Sequence, residues 1–372
     1  MHMPTILGIE STCDETGAAV VIDGRDVRSN VVASQVELHA KYRGVVPEIA
    51  SRAHIENILP VLRESLAVAN KTFADIDAIA VAHRPGLIGS LLIGVTAAKT
   101  LAWSLNKPLI GVDHVQAHLY SVMLEDEARE RRSDEATKGN AAEEAASSPS
   151  VASSLRRFVP PPSFPALGAV LSGGHTSLYH VIDWTQITRL GSTIDDAVGE
   201  AYDKVAAILG LGYPGGPIID KLAAEGDPKA IKFPRTMLGR ESLDFSFSGL
   251  KTAVLYHVRG VPGRDAKGVE LNDRTIRDIA AGFQAACVDV IVRKLDRAVR
   301  RTRAKSVIIG GGVSANRGLR TALENFAIPV HFPPIQYCTD NAAMSAGLAD
   351  VLLREGRTAA LDLDAITASA IR

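Results

Sequence analysis

The hydrophobic positions of this chain fall into two periods that alternate along it. Thr5-Ile6-Leu7-Gly8-Ile9 and 18–22 are short β-rich runs joined by the polar stretch Glu10-Ser11-Thr12-Cys13-Asp14-Glu15-Thr16, which predicts a hairpin. Over 45–69, Ile49, Ala53, Ile58, Leu62 and Leu66 recur at spacings of four or five and mark one face of a helix. A strand over 76–81 runs into Pro85-Gly86, a helix over 89–105 ends before Pro108, Leu109-Ile110-Gly111-Val112 makes another strand, and a helix starts near His114. The pattern resumes at Gly168-Ala169-Val170-Leu171, which enters Ser172-Gly173-Gly174-His175. A second hairpin, helices and the turn Tyr213-Pro214-Gly215-Gly216-Pro217 follow. Ser306-Val307-Ile308-Ile309 enters Gly310-Gly311-Gly312, and a helix over 341–353 is the last strong element.

Two α/β halves that each open strand, turn, strand carry the pattern of a duplication, and the cleft between such halves suits a nucleotide. The intervening 125–163 is rich in Ala, Ser, Glu and Arg, lacks apolar periodicity and closes with Pro160-Pro161-Pro162. It is expected to be a disordered, solvated insertion. The expected division is 1–113 with about 340–372 in a first subdomain and 114–339 in a second.

Composition narrows the class. A chain of 372 residues, 46% hydrophobic and 22% charged, suits two ordinary domains. Forty-one Lys+Arg against 42 Asp+Glu leave a charge of -1, which argues against a protein held on nucleic acid by bulk charge. Three cysteines without a CxxC pair exclude a disulfide scaffold and point to a reducing cytoplasm. The most apolar stretch, 87–105, contains Gly, Ser, Thr and Lys99 and is not read as a membrane span.

The sharpest chemical signal is His114-Val115-Gln116-Ala117-His118, because residues four apart share a helix face and both imidazoles can reach one metal ion. A solvated helix carries the same spacing by chance. Asp113 at a strand end and Asp340 in Cys338-Thr339-Asp340-Asn341 are further candidates, although Asp340 reads equally as an N-cap. Val115 stands where a zinc peptidase needs its Glu base, so a metal here would orient or polarise a ligand. The turns at Ser172, Gly215 and Gly310 allow close backbone approach to a phosphate or sugar without forming a P-loop. Asp203 reads as a ribose or substrate group or as a helix-face ion pair, and Asp220 as a solvated carboxylate. The basic run Arg293, Lys294, Arg297, Arg300, Arg301, Arg303 and Lys305 reads first as a solvated helix face and second as a nucleic-acid contact.

Taken in order, several motifs resemble one family. They are Gly8-Ile9-Glu10-Ser11-Thr12-Cys13-Asp14-Glu15-Thr16, Pro85-Gly86-Leu87, His114-xxx-His118, Ser172-Gly173-Gly174-His175-Thr176, Gly199-Glu200-Ala201-Tyr202-Asp203-Lys204, Tyr213-Pro214-Gly215-Gly216-Pro217, Asp244-Phe245-Ser246-Phe247-Ser248-Gly249-Leu250-Lys251, Gly311-Gly312-Val313-Ser314-Ala315-Asn316 and Cys338-Thr339-Asp340-Asn341-Ala342. Together they resemble the TsaD family in its bacterial form, tRNA N6-adenosine threonylcarbamoyltransferases with the actin/Hsp70/sugar-kinase (ASKHA) fold. Arg84 and the order Ser11-Thr12 depart from the family pattern, as does the insertion.

The resemblance implies an α/β fold of two duplicated RNase H-like domains around a cleft. It implies that His114, His118 and Asp340 hold one divalent metal, Fe2+ before Zn2+. It assigns Val170, Leu171, Ser172, Gly173, Gly174, Asp203, Gly216, Asp220 and Asn316 to threonylcarbamoyl-AMP or an adenine nucleotide, and makes Asp14 and Glu15 candidates for placing or deprotonating the attacking amine. The implied reaction transfers threonylcarbamoyl to N6 of adenosine 37 in ANN-decoding tRNAs and releases AMP. The implied partners are tRNA, TsaB, TsaE and a TsaC-type enzyme that supplies the adenylate, with no membrane. A metallopeptidase and a non-catalytic ASKHA scaffold are the competing readings; such scaffolds lack the two His and the Thr-Asp-Asn motif that stand here.

Overall fold

The structure is a computed structural model and describes residues 2–42, 44–125, 160–262 and 268–371. Most of the expected insertion lies outside the described residues.

The first half is built on a mixed five-stranded sheet. Strands β1 (Thr5–Glu10), β2 (Glu15–Ile22) and β3 (Asp26–Ser34) form an antiparallel meander, while β4 (Ala78–Arg84) and β5 (Leu109–Asp113) run parallel to β1, in the order β3-β2-β1-β4-β5. All six residues of β1 are buried, so the strand reads as a continuous apolar run rather than an alternating one. The hairpin turn is shorter than the polar stretch suggested: Glu10 ends β1 and Glu15 opens β2. Helices α1 (Val36–Ala40), α2 (Pro47–Val68) and α3 (Ile88–Leu105) follow in this half. Ile58, Leu62 and Leu66 of α2 and Val95, Ala98 and Ala102 of α3 cover one sheet face. By length and composition α3, with mean hydropathy 1.4, could cross a membrane, which the sequence reading did not expect. In the fold it lies against the sheet instead.

The second half repeats the plan. Strands β6 (Ala166–Leu171), β7 (Thr176–Val181) and β8 (Ile187–Ser192) form the meander, and β9 (Ser306–Gly310) and β10 (Val330–His331) run parallel to β6, in the order β10-β9-β6-β7-β8. Strand for strand, order and polarity match the first sheet, a repetition that the diverged sequence could not prove. Helices α5 (Val198–Ile208), α6 (Gly215–Ala223), α7 (Ser248–Arg259) and α8 (Asp273–Thr302) contribute to the large core on its outer face.

One helix joins the two halves, and a second covers the other face of the first sheet. Helix α4 (His114–Tyr120) directs Ala117 and Tyr120 into the core of the first half and Val115 and Leu119 against the second sheet. At 3.6 residues per turn those pairs occupy two flanks, which leaves His114 and His118 together on a third. Helix α10 (Ala342–Arg354) packs on β1 so closely that a Cβ on Gly8 would stand 2.5 Å from the Ala342 carbonyl oxygen. A short helix α9 (Arg317–Leu323) completes the second half.

Candidate metal centre and nucleotide cleft

Asp113, the last residue of β5, caps α4: its Oδ1 accepts from the amides of Val115 (3.0 Å) and Gln116 (3.3 Å). That cap fixes where the helix starts and therefore where His114 points. From the other side, Gly310 lets β9 end against the backbone of α4, since a Cβ there would lie 2.3 Å from the His118 carbonyl oxygen. Asp340 is free to turn toward the histidines because Asn341 is the N-cap of α10, accepting from the Met344 amide at 3.1 Å. The N-cap alternative for Asp340 is thereby corrected.

Three donors converge from sequence positions far apart. Nε2 of His118 lies 3.1 Å and Nε2 of His114 3.5 Å from Asp340 Oδ1, and one ligand atom from each residue falls within 4.8 Å of the others. Both histidines are buried, while Asp340 is 23% exposed toward the cleft. These separations and this two-nitrogen, one-carboxylate set fit a divalent ion with open coordination positions.

A second layer of contacts orients the first. Glu10 Oε2 lies 3.2 Å from His114 Nδ1 and Thr12 Oγ1 3.3 Å from the same atom, so Nε2 is turned toward Asp340. Thr12 N–H and Ser345 Oγ–H donate to the Glu10 carboxylate in turn. Burial disfavours charge on His114, but the Glu10 and Asp340 carboxylates outweigh it and hold its pKa well above the usual value. Burial and the neighbouring His114 push His118 down. Burial would raise Asp340, yet the two histidines hold it well below the carboxylate range. Glu10 was quoted within a motif but not singled out from sequence. Its signal was a carboxylate directly following the apolar run Ile6-Leu7-Gly8-Ile9.

The adenylate-side candidates form a connected wall on the second half. Val170 and Leu171 are fully buried on β6 and present only backbone. At Ser172-Gly173-Gly174-His175 the Ser172 amide donates to the His175 carbonyl (2.7 Å) and the His175 amide to Ser172 Oγ (3.0 Å), leaving Gly173 and Gly174 with open space where a side chain would be. Gly216 is equally open, near the N-terminus of α6. Asp203 is in no helix-face ion pair among the described residues: its Oδ1 accepts from the Gly215 amide at 2.7 Å. Burial raises its pKa against the pull of the Gly215 and Gly216 amides. Asp220 is no solvated carboxylate either, because it accepts from Gln284 Nε2 (3.1 Å) and Arg317 Nε (2.8 Å). Asn316 caps α9 through Oδ1 and donates to Gln284 Oε1 at 2.8 Å. Gln284, buried on α8, ties this wall together and was missed because it sits within an apolar helix face.

Across the cleft stand Asp14 and Glu15, which share a hydrogen bond. Burial, the Asp340 charge and then Asp14 push Glu15 up to about 10. Burial and then the charges of Asp14 and Asp203 hold the Tyr213 phenol above its usual range.

The basic run of α8 divides. Lys294 is fully buried with Nζ donating to the carbonyls of Met237 and Ser242 at 2.7 Å each, and burial brings its pKa down to about 8. Arg297 also donates to Ser242 O, at 2.7 Å. These two fasten a loop rather than coat a solvated face; Arg293, Arg300, Arg301, Arg303 and Lys305 remain exposed.

Comparison with known proteins gives this geometry a family. The family profile described as "TsaD: tRNA N6-adenosine threonylcarbamoyltransferase" matches residues 26–131 and 151–347. A tRNA N6-adenosine threonylcarbamoyltransferase from Moorella thermoacetica is 49% identical over 346 residues, covering 91% of this chain and 89% of its own. One from Symbiobacterium thermophilum is 48% identical over 365 residues, covering 97% and 95%. Among solved structures, HypF of T. kodakarensis aligns at TM-score 0.56 and 15% identity over 96% of this chain and 48% of that one. The activator of the 2-hydroxyisocaproyl-CoA dehydratase from Clostridium difficile, with bound ADPNP, aligns at 0.51 and 13% over 95% and 97%. At such identities the likeness concerns the fold alone, and that fold is the ASKHA type.

Proposed function

The chain belongs to the TsaD family, whose reaction is threonylcarbamoyl transfer to N6 of tRNA adenosine, and from that premise we propose how its residues divide the work. The reaction makes t6A at position 37 of ANN-decoding tRNAs. The observation that carries the division is the convergence of His114, His118 and Asp340 beside the open Gly173-Gly174 turn.

Threonylcarbamoyl-AMP is a mixed anhydride and already activated, so no protein nucleophile is needed. The backbone of Ser172, Gly173 and Gly174 and the wall formed by Asp203, Gly216, Asp220 and Asn316 bind its nucleotide portion, with Val170 and Leu171 setting the strand that presents the turn. The N6 amine attacks the carbamoyl carbon, the bond to the phosphate oxygen breaks, AMP leaves, and the amine proton passes to the Asp14–Glu15 pair. His114, His118 and Asp340 would hold a divalent cation, Fe2+ before Zn2+; when bound, it supplies Lewis-acid stabilisation of charge on the leaving phosphate. Glu10 keeps the His114 ring in the donor orientation. TsaB, TsaE and a TsaC-type enzyme as partners, and a cytoplasmic site of action, follow from family membership and the tRNA substrate. The peptidase reading lacks a base, since the residue after His114 is Val115.

Nucleoside mass spectrometry of an ANN-decoding tRNA tests the proposal. The tRNA is incubated with this protein, TsaB, TsaE, ATP and an adenylate source, with the double variant His114→Ala/His118→Ala alongside. Product with wild type and none with the variant supports both the reaction and the metal role. Product with both removes the metal from the mechanism, and none with wild type favours the scaffold reading.

A further inference from the structure

A separate cavity of about 470 Å³ lies against His175, within the roughly 300–1,000 Å³ usual for ligand sites. One wall is the outer part of the second sheet. Ser177 and Tyr179 alternate along β7 and so face one side, and His175, immediately ahead of that strand, joins them in the lining. A bulge between Leu178 and Tyr179 skips Leu190 and sets Arg189 opposite Tyr179, on that same side; without it the apolar Leu190 would stand there. Arg189 is exposed and is in no salt bridge among the described residues.

The opposite wall is the C-terminal tail, tied down at two points. His83 Nδ1–H donates to the Asp364 carbonyl (2.8 Å) and the Ile366 amide to the His83 carbonyl (2.9 Å). Farther on, Ser369 Oγ–H (2.8 Å) and the Ala370 amide (2.9 Å) donate to Asp113 Oδ2, the carboxylate whose other oxygen caps α4. Thr367 and Ala368 stand exposed between the ties and line the cavity. Val115, also in the lining, directly follows His114.

We propose that this cavity receives the ribose and phosphate of the tRNA nucleotide whose adenine is modified, with Arg189 on the phosphate and the hydroxyls of Ser177 and Tyr179 facing the sugar. The proposal rests on the transferase reading. The adenylate wall lies on the second half beyond the Ser172–His175 turn, so the attacking base must enter from another side. His175 belongs to both the turn and the cavity, so a nucleotide seated here carries its base toward the donors at Asp340. A single cation placed by a strand bulge also suits a chain of net charge -1, because a phosphate contact positions the nucleic acid without a broad positive field.

The test uses the assembly with TsaB and TsaE and the variants Arg189→Ala and Ala368→Trp, the second filling the cavity while leaving the charge. Each raises the KM for tRNA about tenfold, Arg189→Ala by losing a charge-assisted contact and Ala368→Trp by occupying the space of the nucleotide. Arg189→Ala also makes log KM against log salt shallower by about 0.7, as for one single-strand phosphate contact, whereas Ala368→Trp leaves that slope alone. In both variants kcat at saturating tRNA, metal content and the thermal shift on adding adenine nucleotide stay at wild-type values. An unchanged tRNA KM in both variants overturns the proposal, as does loss of the nucleotide-induced shift in both. Direct binding of labelled tRNA separates the two levels of inference. If wild type makes no t6A, the transferase reading fails, while weaker tRNA binding by the variants still supports the cavity and equal binding by all three proteins overturns it.

Discussion

Glu10 is completely buried and spends its carboxylate on the Thr12 amide (2.9 Å), His114 Nδ1 (3.2 Å) and Ser345 Oγ (3.4 Å). It touches no candidate metal position itself and acts through the ring it orients. Replacing it by Gln keeps the shape but removes the charge, and metal affinity should fall about 10–100-fold, the range for such outer partners. Metal analysis after dialysis against a graded chelator checks this, and undiminished retention would remove Glu10 from the site. The glycines of the cleft make the complementary case. A Cβ on Gly174 meets nothing within 4 Å. Gly174→Val should therefore leave the Tm of the free protein nearly unchanged and abolish the Tm rise on adding adenine nucleotide. At a hundredfold excess over Kd, binding to the folded state stabilises wild type by about 2.7 kcal/mol. A variant that melts early without ligand would show that the turn has a structural role instead.

At the scale of elements, α4 is the part on which the site depends. Its seven residues are too few to hold a helix by propensity, so the Asp113 cap and the two packed flanks define it. Asp113→Ala removes a cap worth about 1 kcal/mol together with both tail contacts, and urea unfolding should show a loss somewhat larger than a cap alone. Gly310→Ala presses on the His118 carbonyl and should cost about 1–3 kcal/mol, with weakened metal binding because the strained atom belongs to the ligand helix. A different junction responds to acid. Burial would raise Asp196, but hydrogen bonds from Lys204 (2.7 Å) and Lys251 (2.8 Å) outweigh it and hold its carboxyl below the usual value. A depressed folded pKa gives stability that is present above the unfolded value near 4 and is lost as pH falls through the folded one. Asp196→Asn should thus be less stable than wild type at pH 7, and the gap should close toward pH 3 in urea titrations at both pH values.

Over the whole molecule, two sheets of equal topology are joined through α4, with α10 packed on the first, and the candidate site draws on both halves. Ending the chain after Leu363 deletes the ties to His83 and Asp113, and the truncated protein should melt lower and bind metal less tightly than wild type. Wild-type values of both would make the tail dispensable for the site. The element sequence was legible over most of the described chain because strands buried on both faces read as apolar runs, and α2 carried a clear helical period. What could not be read were contacts between distant segments. Asp220 and Lys294 each read first as a solvated surface group in sequence, and each is bonded to residues tens of positions away.

The chain by itself determined its family, the alternation that makes two α/β halves, and the chemistry of the donors: two histidines one helical turn apart and an aspartate at a loop-to-helix junction. Those are properties of local spacing and residue type, which the backbone geometry of a helix or strand converts directly into a shared face. Tertiary structure alone decided that Asp340 meets a pair of histidines more than two hundred positions earlier, that Glu10 stands behind one of them, and that a strand bulge sets Arg189 beside Tyr179. Such meetings depend on how the two sheets pack on α4 and α10, and packing is set by the fit of many side chains at once rather than by any short run of sequence.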